Sequence, residues 1–258
     1  MFRFSILLLA FVAIASAFAA EPNPDGFRWG NANVYFVITD RFCNGDSLND
    51  VNYGRIVDYG SERLNAATFH GGDFKGMLQK AREGYFSRLG VDVVWMTDVY
   101  EQIHGWMSGS GSVNDFPHYG YHGYYPLDYT QIDKNYGTIA ELRDLVDTLH
   151  SQGIRVMLGA NLNDPGYPTL LDAVQLGFAD PGLTEKEAAA HIRHWSFDKF
   201  FENRLNWNGW YDRSWVRMPD EGWDESDPLQ ATLYGLPDFK DESDAPTAPV
   251  SYTHLRAH

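Results

Sequence analysis

The sequence predicts an α/β fold built on a parallel sheet, and three observations carry that prediction. Three short apolar runs, Asn33–Asp40 (NVYFVITD), Val91–Asp98 (VDVVWMTD) and Ile154–Ala160 (IRVMLGA), read as strands buried on both faces. Two segments with helical spacing separate them, giving the order β, α, β, α, β. Polar residues or long loops follow each strand, as crossover connections in a parallel sheet require. Two architectures satisfy that order, a doubly wound sheet and a (β/α)8 barrel. No Gly-x-Gly-x-x-Gly follows the first strand, which argues against a dinucleotide site.

Each element has a local reason. Residues 1–20 carry Arg3, an apolar run from Phe4 to about Ile14, then small residues around Ala17-Phe18-Ala19; this is the pattern of a secretory signal peptide cut after Ala19 or Ala20. The run is too short for a membrane anchor, and no later segment reaches spanning length. The expected location is therefore secreted or periplasmic, with no membrane partner after cleavage. Asp73–Gly90 places Phe74, Met77, Leu78, Ala81, Tyr85 and Leu89 on one helical face, with Asp73 as cap and Gly90 as terminator. Val99–Gly137 reads as a long loop rich in Gly, Tyr and His. Thr138 and Glu141 form a capping box ahead of Leu142, Leu145, Val146 and Leu149, and Gly153 closes that helix. After Ala160 the alternation stops. Thr184 and Glu187 form a second capping box for a helix to about Asn203, followed by an irregular stretch with Trp207, Trp210, Trp215 and Trp223.

Composition narrows the partners. The 258 residues include 20 Lys+Arg against 35 Asp+Glu, a net charge of −15, which opposes nucleic acid and anionic membrane surfaces. A single cysteine, Cys43, excludes an intrachain disulfide and any multi-cysteine zinc site. His118 and His122 are four apart, but among Gly, Tyr and Pro and without H-E-x-x-H they do not make a zinc site. Residues 246–258 turn small, polar and Pro-rich and end in SYTHLRAH, a tail whose last ten residues resemble translated adaptor sequence and are expected not to be native.

The segment Phe116–Ile139 (FPHYGYHGYYPLDYTQIDKNYGTI) carries the pattern that identifies the family. Its Tyr121-His122-Gly123-Tyr124 block, Asp128-Tyr129 pair and Ile132-Asp133…Tyr136-Gly137-Thr138 ending resemble α-amylase family glycoside hydrolases. Val34–Phe42 resembles the first strand of that family, His70–Gly76 its first helix opening, and Leu236-Pro237-Asp238 its signature near the end of an inserted B domain. Glu101–Trp106 most resembles the periplasmic α-amylases of Gram-negative bacteria. The resemblance implies the N-terminal part of a (β/α)8 TIM barrel, strands 1–3, with an inserted B-type domain. The expected boundaries are 1–20 signal, 21–160 barrel, 161–245 B-domain-like insertion and 246–258 tail.

The same resemblance assigns the chemistry. Tyr124 would stack under a glucose ring, His122 would hydrogen-bond a hydroxyl, and Tyr125 would line the same substrate site for an α-glucan or maltooligosaccharide. Asn44, Asp46, Asn49, Asp50 and Asp73 carry oxygen ligands suited to calcium, and Asn163 keeps the place of a second calcium ligand between barrel and B domain. Gly159 stands where the family has a supporting Asp, and Asp164 where it has a His that contacts the sugar; both changes are expected to weaken transition-state binding. Retaining hydrolysis needs two carboxylates about 5–5.5 Å apart, and in the family these lie on the fourth and fifth strands. No nucleophile or general acid is therefore assigned in this chain, and Asp224 and Glu225 read as a solvated turn. The leading expectation is a fragment of an exported amylase-type hydrolase. A non-catalytic glucan-binding descendant and a calcium-stabilised structural protein are the alternatives.

Overall fold

The protein is described from a computed structural model covering residues 26–58, 67–106, 118–166, 169–176, 184–186, 216–217, 236 and 238–239. The elements in chain order are β1 (Val34–Val37), α1 (Phe74–Arg82), α2 (Tyr85–Arg88), β2 (Val93–Met96), β3 (Tyr100–Gln102) and β4 (Pro126–Ile132). They continue with α3 (Ile139–Ser151), β5 (Arg155–Leu158), α4 (Leu170–Leu176), β6 (Val216–Arg217) and β7 (Asp238–Phe239). Ahead of β1, in a unit of its own, Phe27 and Trp29 meet edge-to-face at 4.9 Å.

The three expected strands form one parallel sheet in the order β1-β2-β5, with Val37, Met96 and Leu158 in register. One face is covered as a helix-crossed parallel sheet should be. Val37, Val94 and Met96 are buried together with Phe74, Met77 and Ala81 of α1 and Leu145 and Leu149 of α3. Each such side chain contributes about 1.5–3 kcal/mol on leaving water. The other face corrects the expectation of strands buried on both sides. Phe36 is 46% and Trp95 39% exposed, their rings edge-to-face at 5.1 Å, because among the described residues α1 and α3 pack on one side only.

Two further expectations need correction. The helix predicted over Asp73–Gly90 is two helices, because Gly84 adopts φ 72° and turns the chain between α1 and α2. The turn brings Phe86 into the core in place of Leu89, which is 54% exposed. Asp73 is the cap as expected, its carboxylate accepting from Gly76 N at 2.6 Å. The Val99–Gly137 loop contains an antiparallel ribbon, β3 with β4, with register shifts at Glu101 that hide any simple alternation. The Thr138–Glu141 capping box is present as expected and opens α3. Helix α4 was not anticipated, and most of the helix expected through Asn203 lies outside the described residues, as do all four tryptophans of the irregular stretch.

A buried ion pair fastens these parts. Arg55 Nη1 donates to Asp133 Oδ1 at 2.7 Å with both side chains fully buried, and Nη2 donates to the carbonyls of Gln102 and Ile103. Burial opposes the guanidinium charge, yet the Asp133 carboxylate more than offsets it and holds the pKa above its usual value. Removing the cation alone strands Asp133 in the core. Arg55→Met should therefore cost about 3–5 kcal/mol, read as a lower urea midpoint with an unchanged m-value; a shift under about 1 kcal/mol would show that the pair is dispensable.

Candidate functional site

The carboxyl ends of the three parallel strands carry the polar residues that the fold does not need for packing. This is where open and closed parallel α/β sheets place their ligands. Thr39–Arg41 turns off β1, Asp98 follows β2, and the segment Gly159–Asp164 leaves β5. Asp40 is buried, accepts from His70 N at 2.8 Å and Gly71 N at 3.1 Å, and pairs with Arg41 at 2.8 Å. Burial pushes its pKa up to about 6 against the pull of Arg41 and those amides. The Arg41 guanidinium in turn lies 3.7 Å over the ring of Tyr121. An acid–base pair directly after an apolar run was the available signal for Asp40 and Arg41, and the sequence reading gave them no role.

Tyr121, His122 and Tyr124 form an aromatic ledge over this end of the sheet. The ring of His122 stacks on Tyr124 at 5.3 Å and meets Tyr125 edge-on at 4.5 Å. Tyr124 is 43% exposed, so its ring offers an open face. His122 Nδ1 accepts from Tyr124 N at 2.9 Å, which leaves Nε2–H as the donor in the neutral tautomer. Burial, then the nearby His118 and Arg41, lowers its pKa to about 4. Tyr125 is half-buried; its N–H donates to Gln102 Oε1 and its side chain packs with Ile103, Leu127 and Leu236.

The predicted metal residues fall into two groups. Asn44, Asp46, Asn49, Asp50 and Asp73 share the loop after β1 and the start of α1. Asp73 accepts from Gly45 N, Asp46 N and Asn49 Nδ2 in addition to Gly76 N; burial raises its pKa and these donors oppose the rise. Asn44 Nδ2 donates to both oxygens of the buried Asp50. Lys75 pairs with the half-buried Asp46 and lowers its pKa. Asn49 Oδ1 is buried with no hydrogen-bond partner, an unused oxygen acceptor inside the loop. Among the described residues no three His, Cys, Asp or Glu side chains converge as a metal cage.

Asn163 belongs to the second group. Its Nδ2 donates to Asp164 Oδ1 at 2.8 Å and to Asp238 Oδ1 at 3.2 Å, while its carbonyl accepts Phe239 N. Asp238 and Asp164 are both buried. Asp238 reads in sequence only as part of a Leu-Pro-Asp signature; the hydrogen bond that joins it to Asn163 spans seventy-five residues and leaves no local trace in sequence.

Three successive parallel strands with an aromatic ledge at their carboxyl ends define a segment of a (β/α)8-barrel protein. The family model for the alpha amylase catalytic domain matches residues 36–169. The periplasmic alpha-amylase of Escherichia coli (strain K12) is 40% identical over 90% of this chain and 37% of its own length. A beta/alpha-amylase of Paenibacillus polymyxa is 32% identical over 61% of this chain and 12% of its own length. Among solved structures, an alpha-amylase from Geobacillus thermoleovorans complexed with acarbose matches with TM-score 0.51 and 24% identity, over 89% of this chain and 36% of the other. The chain belongs to the α-amylase catalytic-domain family, and it spans well under half the length of each of these relatives.

The neutral state of His122 has a measurable consequence. A folded pKa depressed from 6.5 to about 4 means that the unfolded chain takes up a proton which the folded one refuses. That contribution to stability is present above pH 6.5 and is lost as pH falls toward 4. An NMR titration of the His122 ring should give a midpoint near 4; a midpoint near 6.5 would contradict the burial argument.

Proposed function

We propose that this chain is the strand 1–3 part of an exported α-amylase-type glycoside hydrolase acting on α-1,4-glucans such as starch or maltodextrin. The observation that carries the reading is the half-exposed Tyr124 ring beside a neutral His122 whose Nε2–H is a donor. A pyranose presents C–H groups to an aromatic face and hydroxyls to donors at its rim. The residue 1–20 pattern and the periplasmic relative support export. Among the described residues no helix is long and apolar enough to cross a membrane.

The mechanism is the retaining two-carboxylate reaction, with nucleophile and acid/base contributed by parts of the whole protein beyond these three strands. What this segment does is bind and orient. Tyr124 supports the ring, His122 holds a hydroxyl without bringing a charge, and Arg41 stacked on Tyr121 fixes the ledge. Further strands of the whole protein would cover Phe36 and Trp95, and residues 161–245 would form the B-type insertion. A second reading, a glucan-binding descendant without catalysis, is favoured by Gly159 and by the buried Asp164, which Asn161 and Asn163 hold in place.

Calcium is the ion we assign to the loop after β1. Asp46, Asp50 and Asp73 would have to draw together to supply carboxylates, Asn44 and Asn49 would supply amide oxygens, and the buried, unsatisfied Asn49 Oδ1 supports the assignment. Bound there, the ion would tie the loop to the start of α1 and take no part in bond cleavage. Asn163 and Asp238 would hold a second ion at the junction with the inserted segment.

Two measurements test this. Tyr124→Ala should weaken maltoheptaose binding by about 1–2 kcal/mol, a roughly 5- to 30-fold higher Kd by calorimetry; unchanged affinity would remove Tyr124 from the site. Calcium at a hundredfold its Kd should stabilise the protein by about 2.7 kcal/mol, seen as a Tm rise that EGTA reverses and Asn49→Ala abolishes. A Tm indifferent to calcium and chelator would end the calcium assignment. The activity itself is tested by expressing the whole reading frame on starch: reducing ends released with retained anomeric configuration support the enzyme, and glucan binding without release supports the second reading.

A further inference from the structure

Asp98 is a buried carboxylate that the assignments above leave without a role. It is 2% exposed at the end of β2, and no ion pair joins it to a cation among the described residues. Its Oδ2 accepts the backbone N–H of Asn161 at 2.6 Å, across from the segment that leaves β5. Burial raises its pKa, and the backbone N–H groups of Asn161 and of Asp98 itself work against the rise. A carboxylate so placed destabilises the fold unless something requires it.

Its place exists only because two neighbours lack side chains. A Cβ built on Gly159 would overlap Asp98 Oδ1, and one built on Gly123 would come within 2.9 Å of Asp98 N and closer still to its carbonyl oxygen. Gly123 belongs to the aromatic ledge and Gly159 ends β5, so residue 98 is clamped between the ledge and the outgoing strand. The Asp98 charge also reaches the ledge, adding to burial in raising the Tyr124 hydroxyl pKa. On the other side, Asn161 and Asp164 carbonyls accept the Tyr129 hydroxyl, and Asn163 meets Asp238. Residue 98 thus joins the two, its backbone seated against the ledge at Gly123 and its carboxylate bound to the segment at Asn161.

We infer that Asp98 is a positioning residue, its carboxylate set in the space left by Gly159 so as to fix Asn161–Asp164 against the Tyr121–Tyr124 ledge. Residues 98 and 159 then form a matched pair, in which the bare Gly159 after β5 leaves the room that the Asp98 carboxylate fills. The consequence for glucan affinity rests on the proposed function; the fixing of the segment does not.

The test uses the whole protein and four forms: wild type, Asp98→Asn, Asp98→Ala, and Asp98→Ala with Gly159→Asp. Amide hydrogen exchange at Asn161–Asp164 and maltoheptaose affinity are read on each. Asp98→Ala should speed exchange at Asn161 at least about tenfold and raise the Kd about tenfold. Asp98→Asn keeps an oxygen for Asn161 N and should hold exchange within about threefold of wild type. The double variant returns a carboxylate two residues before Asn161, where an Asx turn can reach its N–H, and should recover most of both losses. Wild-type exchange in Asp98→Ala, or a double variant no better than Asp98→Ala, overturns the inference, since a merely space-filling Asp98 predicts no rescue. Should wild type itself show no glucan affinity while exchange follows this order, the glucan reading fails and the positioning role stands.

Discussion

The contact between Arg55 and Asp133 is the constraint on which the aromatic ledge depends. Asp133 ends β4, and its carboxylate also accepts Gln102 N from β3 and Asn135 N from the turn before α3. Arg55 comes from the loop after β1 and reaches the carbonyls of residues 102 and 103 with its second nitrogen. Its planar fork can satisfy a carboxylate and two carbonyls at once, which a lysine could not. The ring planes of Tyr53 and Phe69 sandwich the same guanidinium at 4.6 and 4.8 Å. Loop, ribbon and the approach to α3 therefore share one desolvated cation, and the ribbon is what carries the aromatic ledge into place.

The ledge is held by a second device, close backbone approach. The base of the ledge is the backbone of residue 98 seated against Gly123. Tyr136 adds to it from below, fully buried, its hydroxyl donating to the Tyr121 carbonyl at 2.9 Å. The Tyr-Gly pair at 136–137, which in sequence looks like one more loop motif, is thus part of the floor of the ledge. Rigidity at Tyr124 comes from glycines and a buried tyrosine that never touch a ligand.

Much of this was legible because the signals were local. Asp73 and Thr138 announce their helices through side-chain oxygens placed for the first-turn amides, and both do so in the structure. Parallel strands follow from apolar runs joined through helices. What stayed hidden was set by partners far along the chain. The β3–β4 ribbon pairs through shifts in register, so neither strand shows the period of two. The break at Gly84 was concealed because Tyr85 and Leu89 continue the helical spacing past it, and only burial shows that Phe86 faces inward. Gly159 read as a lost carboxylate; that residue 98 occupies the vacated space appears only when β2 and β5 lie side by side.

The distribution of charge bears on the calcium proposed for the loop after β1. Eight aspartates are buried among the described residues (40, 50, 73, 98, 133, 164, 172 and 238), against one buried cation, Arg55. Several are held by N–H donors instead: Asp73 by three backbone amides and a side-chain amide, Asp98 by Asn161, Asp172 by His104 N and Thr169 N. Such donors stabilise a carboxylate without neutralising it, and the chain already carries a net −15. Each divalent ion added at the β1 loop or at Asn163–Asp238 would cancel two of those charges where they are densest. Converting these aspartates to neutral residues would relieve the repulsion too, but it would remove the acceptors that cap α1 and anchor the segments leaving β2 and β5. The acidic interior is thus the electrostatic consequence of using carboxylates as backbone clamps.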